Sequence, residues 1–408
     1  MVLSDGGQTG IPNTLPMNGV ERTRRRRVAM FLHTFDDRAV ARVVATVTDG
    51  MDRLGFDTAI VCATRDPRGE VRLRDEIPVV DLRVGRRPTT FGVPRLAAFI
   101  RNWRPDVMFA HGNGANRAAV LARLASRQPM HLVLVEHNHY SSYVASTTGG
   151  WRHRWLRDAL TGVLYPLADR VAGVAPSVTQ DLARRFRLPG VKLIVLPNPG
   201  PEPDLIAERA SGEAVHPWLD ELPRPKIICS VGNIIPRKSQ ETLIESLALV
   251  RRDVGDVRLM LIGRRDNEEY AAHLERRADE LGVRRHVWFA GYQPDPLALV
   301  AKSDVFALAS INEGSPLVLV EAMACGVPIV ATDCPGGSSY LLDDGRAGII
   351  VPMRDPADMA IAIARVLRDA ELRAALVDRG RSRAAQFAPS RVAHRYLAVV
   401  ESLMSARG

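Results

Sequence analysis

The segment Glu313–Gly337, EGSPLVLVEAMACGVPIVATDCPGG, decides how the rest of the chain is read. One carboxylate, Glu313, stands in a small-residue loop, and a second, Glu321, follows inside an apolar stretch. The run DVFALAS (304–310) before them reads as a strand, INEG as a loop and 316–325 as a helix. Ser315 suits an N-cap and Pro316 a first helical residue. The pattern predicts free N–H groups near Leu317 and Val318, and such a helix start attracts anions. Glu321 would lie roughly 7–8 Å further along the axis at about 1.5 Å per residue. A phosphate at the helix start, with a carboxylate on either side accepting from hydroxyls, fits a sugar, a phosphate and a ribose in series. The plainer alternative makes Glu313 a loop cap and Glu321 a solvated helix residue. The apolar runs PLVLV and AMACGV around Glu321 speak against a solvated face.

Outward from this segment, short apolar runs alternate with helix-length stretches. In the first half the strands are expected at 27–33, 57–62, 106–110, 131–136, 170–174 and 192–197. Helices are expected at 38–54, 114–127, 151–168 and 177–187. The alternation breaks at 197–225, which is dense in proline and acidic residues and reads as a linker with one short helix. It restarts with strands at 226–232, 257–263, 286–291, 304–310, 328–332 and 348–352 and helices at 239–252, 267–281 and 316–325, and helices fill most of 356–408. Repeated βαβ units mean parallel sheets. The expected architecture is α/β, two doubly wound Rossmann-like domains facing each other across a cleft, which is where ligands of such sheets collect. The expected boundaries are a disordered lead-in over 1–24, an acceptor-side domain over 25–198, a linker over 199–224 and a donor domain over 225–387. A terminal helix over 388–408 is expected to pack back on the first domain.

A second strand–turn–helix start, VGNIIPRKSQETLIESLALV (231–250), places Arg237 and Lys238 before Ser239, a possible N-cap. Positive charge there opposes the helix dipole unless an anion is bound. The two readings are a pyrophosphate clamp and an ordinary surface basic pair, and the first motif on the same sheet edge favours the clamp.

The chain has 408 residues, 46% of them hydrophobic and 25% charged, with a formal net charge of +9. That is too long for one ordinary core and suits two or three domains. No apolar run approaches the ~20 residues of a membrane span. The first residues lack the basic start and apolar core of a signal peptide. The four cysteines Cys62, Cys229, Cys325 and Cys334 have no CxxC spacing, which suits a reducing cytoplasm. The basic excess is compatible with an anionic partner and equally with an arginine-rich proteome. No helix-turn-helix, RRM, KH or zinc-finger signature is present, so no nucleic-acid partner is expected.

These residues resemble the retaining nucleotide-sugar glycosyltransferases of family 4, which have the GT-B fold. The resemblance covers roughly 27–405. Its most specific part is Glu313, seven residues, Glu321 and then AMACGVPIVATDCPGG; VLPNPG (195–200) and VAGVAPSVTQDLARRF (171–186) are similar to further family signatures. The resemblance implies that Glu313 contacts the transferred sugar near its anomeric carbon, Glu321 holds the ribose, and Arg237 and Lys238 balance the departing diphosphate. The loops at Gly263 and Gly291-Tyr292 would line the nucleobase. Gly232, Asn233, Gly314, Ser315, Pro316 and Leu317 would complete the donor site. A histidine ending a strand would face the donor sugar; His137 in VEHNHY matches this position best, with His111 in AHGNG as a rival. Two departures from the family pattern stand out. Asn233 occupies the place where the family often has arginine, and HTFDDRAVARVV lacks the family's glycine-rich loop. The resemblance implies no cofactor and no metal, a UDP- or GDP-linked donor, retention by front-face attack, and a hydroxyl acceptor such as a lipid-linked or polysaccharide precursor. Acceptor contacts would come from 34–40 and 137–150.

The segment YSSYVASTTGGWRHRWLRDALTGVLYP (140–166) crowds Trp151, Trp155, Arg152, Arg154 and Arg157 onto one helix start, and RTRRRR (22–27) and RVGRRP (83–88) add basic charge. Tryptophan with arginine suits a helix lying on an anionic membrane, peripheral at the inner face of the cytoplasmic membrane. A solvated charged helix with its tryptophans packed inward is the simpler reading and takes precedence. A nicotinamide-dependent oxidoreductase would need G-x-G-x-x-G after a first strand, which neither VGNIIPRK nor FLHTFDDR supplies. A catalytically weak nucleotide-sugar-binding or scaffold protein on the same fold stays open.

Overall fold

The computed structural model describes residues 25–36, 39–66, 71, 73–146, 151–212 and 216–405. The expected lead-in over 1–24 lies outside them, as do residues 37–38 and 147–150 of the expected acceptor segments and the first arginines of RTRRRR.

Among the described residues, seven parallel strands form the first sheet: β1 (Arg27–Phe35), β2 (Asp57–Arg65), β3 (Val79–Asp81), β4 (Val107–His111), β5 (His131–Glu136), β6 (Arg170–Gly173) and β7 (Leu193–Val195). Their order is β3-β2-β1-β4-β5-β6-β7. Six more form the second sheet, in the order β10-β9-β8-β11-β12-β13. They are β8 (Lys226–Val231), β9 (Val257–Ile262), β10 (Val287–Gly291), β11 (Val305–Leu308), β12 (Ile329–Thr332) and β13 (Ile349–Val351). Helices cover both faces of each sheet, so the central strands read as unbroken apolar runs rather than alternating ones. In β1 every residue from Val28 to Leu32 is buried, and so is all of β4 and β5.

Strand order fixes where a ligand can enter. In each sheet the chain starts in the middle, winds to one edge, then returns and winds to the other, so successive helices lie on opposite faces at one point. In the first sheet that point lies between β1 and β4, where Leu32 pairs with His111. In the second it lies between β8 and β11, where Cys229 pairs with Phe306. The loops after β8 and β11 therefore emerge side by side.

The two sheets face each other across these carboxyl ends, and the lobes meet in close loop contacts. A Cβ at Gly314 would collide with the His137 carbonyl oxygen, so only glycine permits this approach. Ser177 donates a hydrogen bond to the Gly336 carbonyl, and Gly200 donates to the Phe387 carbonyl at 2.7 Å. The last helix, Pro389–Ser405, lies against the helix Ala39–Arg53 of the first lobe, with Val392, Tyr396 and Val400 in that lobe's core. Tyr396 packs on Phe109 of β4.

Three expectations need correction. The region 66–105 holds β3 and the helix Val93–Trp103, which the strand–helix reading passed over because β3 is three residues long and only half-buried. The expected linker carries two helices, Pro203–Ala210 and Pro217–Asp220, each opened by a proline at its first turn. Trp155, expected to pack inward, is 67% exposed. The side chains of Trp151, Arg152 and Arg154 lie outside the described set.

Candidate active site

The loop after β11 turns Glu313 inward. Its carboxylate accepts from Lys238 Nζ at 2.6 Å and from Ser310 Oγ at 2.6 Å, and Arg237 Nη1 lies 3.5 Å from its other oxygen. Arg237 also donates to the Asn312 carbonyl at 3.1 Å, and Ile311 N–H to the Arg237 carbonyl at 3.0 Å. The loops after β8 and β11 are thereby laced together. Glu313 is 6% exposed. Burial alone pushes its carboxyl up, but the charges of Lys238 and Arg237, with the bonds from Lys238 and Ser310, outweigh it and hold the group below the ordinary carboxylate value. Arg237 and Lys238 sit on a short turn, Pro236–Lys238, closed by Ser239 with φ at 48°. Ser239 flanks the helix Gln240–Val254, yet its hydroxyl caps no backbone N–H and lies 3.0 Å from Thr242 Oγ1 instead.

Glu321 stands one turn into the helix Leu317–Ala324. Its carboxylate makes no hydrogen bond among the described residues. Burial raises its pKa, against the pull of Arg42 and Arg209, and Asp295 adds to the rise. Arg42 comes from the first lobe, so charge from that lobe acts on Glu321. The helix starts one residue later than expected: Pro316 holds the N-cap position, no side chain caps the first N–H groups, and the Ser315 hydroxyl is buried without a partner. A buried hydroxyl and uncapped amides beside two cations make a cradle for a phosphate.

The opposite wall comes from β4 and β5. His111 Nδ1 lies 3.0 Å from His137 Nε2, and both rings are buried. The two rival histidines are thus one hydrogen-bonded pair. Burial pushes His137 down to about 4, with its hydrogen bond to Asn198 opposing. Burial, then repulsion from His137, pushes His111 well below the ordinary histidine range. Both rings are neutral at pH 7, and His111 Nε2 has no partner among the described residues. Behind them Glu136, at the end of β5, accepts from Tyr165 and from Asn116 Nδ2 at 2.9 Å, and burial pushes its carboxyl up to about 7.

Comparison with known proteins places the chain in a family. Residues 216–383 match the family of glycosyl transferases group 1, and residues 40–199 match glycosyltransferase family 4. The chain is 31% identical, over 73% of its length and 78% of the relative's, to the GDP-mannose-dependent alpha-(1-6)-phosphatidylinositol monomannoside mannosyltransferase of Mycolicibacterium smegmatis. This chain belongs to the group 1, family 4 glycosyltransferases. A further relative of this glycosyltransferase is the lipopolysaccharide core biosynthesis glycosyltransferase LpsE of Rhizobium meliloti, 34% identical over 45% of the chain and about half, 52%, of that protein. The crystal structure of Anabaena HepE in complex with UDP superposes with a TM-score of 0.73 at 18% identity, covering 92% of this chain and 100% of that one, which speaks to the GT-B fold.

Within the glycosyltransferase the expected donor residues do not all face one point. Gly232 packs against the Lys238 side chain. Asn233, at the position where the family pattern often has arginine, ties its amide to Asp266 instead of the cleft. A Cβ at Gly263 would strike the Gly232 carbonyl, so the loops after β8 and β9 close on each other. Tyr292 is exposed, with the Arg264 guanidinium 4.5 Å above its ring. The imidazole of His137 is held by His111 and Asn198, while its carbonyl faces Gly314. Sequence reasoning missed Ser310, Asn198, Arg42 and the Glu136–Tyr165–Asn116 cluster. Glu136 carried a visible signal, a carboxylate closing the apolar run HLVLV, and Asn198 lies in the VLPNPG stretch already singled out. The four thiols are free. No group of three or more His, Cys, Asp or Glu suited to a metal occurs among the described residues.

Proposed function

We propose that this glycosyltransferase moves a sugar, with retention, from a UDP- or GDP-linked donor to a hydroxyl acceptor on a lipid-linked or polysaccharide precursor, without metal. The observation that carries the reading is the convergence of Lys238 and Arg237 on Glu313 beside the uncapped start of Leu317–Ala324. The diphosphate would lie between these cations and the helix start, which stabilise the negative charge that develops as the sugar–phosphate bond breaks. That supply of positive charge supports a metal-free mechanism. The sugar would lie toward Glu313 and the histidine pair, and the ribose toward Glu321. In front-face attack the acceptor oxygen forms the new bond to the anomeric carbon as the phosphate oxygen leaves, and that oxygen takes the acceptor's proton. Lipid-linked acceptors are supported by relatives named for phosphatidylinositol and lipopolysaccharide core substrates, and a nucleotide donor by the UDP bound in HepE. A membrane acceptor places the enzyme at the inner face of the cytoplasmic membrane.

The test is calorimetric binding of UDP and GDP, without metal, to the wild type and to Glu321→Ala. One nucleotide is expected to bind at about micromolar strength, and the substitution to weaken it about tenfold or more, about 1.4 kcal/mol. If the wild type binds neither nucleotide, the donor reading fails and a scaffold role on the same fold replaces it.

A further inference from the structure

We propose that the outward face of the helix Trp151–Leu164, continued through Leu167, is the surface on which the first lobe docks to an anionic lipid bilayer. The proposal rests on the membrane-acceptor reading and names the surface that reading requires.

Leu156, Leu160, Val163 and Leu167 recur every three or four residues and so form one stripe. They are 53, 45, 68 and 43% exposed, and Trp155 beside them is 67% exposed. Neighbouring elements extend the patch. Arg123 bonds Asp169 and the Leu167 carbonyl, which brings exposed Leu124 to one side. Lys192 donates to the Pro166 and Ala168 carbonyls at 2.6 and 2.9 Å, which brings exposed Val191 to the other. A contiguous apolar surface of this kind marks an interaction site.

Its charge says what covers it. Residues 155–192, whose side chains are described, contain five arginines and one lysine against three aspartates and no glutamate. All three aspartates are engaged within the fold. Asp158 accepts from Tyr140 and Arg185, Asp169 from Arg123 and Leu132 N–H, and Asp181 from Ser141. The rim that remains, including exposed Arg184 and Arg187, is almost wholly cationic. A second copy of this chain would bring two such rims together and be repelled. An anionic leaflet instead attracts them, and tryptophan with leucine enters the headgroup region. A cavity of about 360 Å³ adds a place for one headgroup. Trp155, Gly162 and Phe186 give it an apolar wall, and Arg185 and Arg187 a cationic one; Asp158 also lines it, its carboxylate bonded to Arg185. No helix among the described residues is long and apolar enough to cross a membrane, so the contact lies in the interface plane. The same helix continues into Tyr165, which bonds Glu136 beside His137, so the docked face is tied to the wall of the cleft.

The experiment is co-sedimentation of the full chain with phosphatidylcholine vesicles, with and without phosphatidylglycerol, in the absence of nucleotide. The wild type is expected to bind the phosphatidylglycerol vesicles at least ~10-fold better than the neutral ones, and to lose that advantage as salt is raised. Trp155→Ala/Leu160→Ser/Val163→Ser, a triple substitution of exposed positions, is expected to lower binding at least ~10-fold with unchanged UDP and GDP affinity; Arg184→Glu/Arg187→Glu is expected to abolish the lipid preference. Equal vesicle binding by the wild type and both variants overturns the proposal. So does a wild type that ignores vesicles; if its sedimentation mass then falls on the triple substitution, the face is a self-association interface. A wild type that binds the phosphatidylglycerol vesicles but neither UDP nor GDP refutes the donor reading alone.

Discussion

Replacing Lys238 by methionine tests the centre of the site. The substitution keeps most of the side chain's volume and removes its charge. Glu313 would be left buried with Ser310 at 2.6 Å and Arg237 at 3.5 Å as its remaining partners. Breaking a buried pair by removing one member costs about 3–5 kcal/mol. The remaining partners lower this, so about 2–3 kcal/mol is expected at pH 7. For a lobe of this size that corresponds to about 4–12 °C in Tm. The pH dependence gives a second signature. In the wild type the Glu313 pKa is depressed on folding, so its stabilisation is present above the ordinary value of 4.5 and is lost as pH falls through the folded pKa. Without Lys238 burial dominates and the folded pKa rises above that value. The sign then reverses: the folded chain binds the proton more tightly, and acidification from pH 7 restores part of the lost stability. Thermal unfolding of wild type, Lys238→Met, Glu313→Gln and the double variant, at pH 7 and pH 5, reads both effects. The reasoning is refuted if Lys238→Met costs less than about 1 kcal/mol, or if adding Glu313→Gln recovers none of the loss, because the charge would then not be paired in solution.

Further expectations concern the opposite wall. Between the ordinary histidine value of 6.5 and about 4, the unfolded chain binds a proton that folded His137 refuses, so stability falls as pH drops through that window. His137→Gln should flatten this part of a Tm–pH curve. Glu136 behaves oppositely: its folded pKa of about 7 against an ordinary 4.5 means stabilisation that is full below 4.5 and lost as pH rises to 7. Glu136→Gln should therefore narrow the Tm difference between pH 5 and pH 8, as followed by calorimetry. Gly314→Ala sets a methyl group against the His137 carbonyl. It should hold the lobes apart and lower transfer by about 10²-fold, with Tm nearly unchanged, as measured by a donor-consumption assay beside thermal unfolding.

Much of the fold was legible because apolar periodicity is local. The strands β1, β5, β8 and β12 fall where their runs of buried residues stand in the sequence, and most helix ends shift by a residue or two, although the helix expected to 168 ends at Leu164. Two of the places that misled have a common cause. At Ser315 and Ser239 the residue type suited an N-cap, yet neither hydroxyl bonds a helix N–H, because loop packing from another part of the chain set the backbone there. Trp155 misled likewise: burial of a tryptophan depends on what the helix faces, and residue type does not state it.

The linear sequence by itself determined the parallel sheets, the spacing of Glu313 and Glu321, the cationic pair at Arg237 and Lys238, and the basic aromatic helix. These are properties of neighbours along the chain. Tertiary structure alone decided that Lys238 closes on Glu313, 75 residues away. It also decided that His111 and His137 are one pair, that the charge of Arg42 acts on Glu321, and that the Leu156–Leu167 stripe is left uncovered. Each depends on strand order and lobe contact, which bring distant residues together at the carboxyl ends of two sheets, and no local pattern encodes that distance.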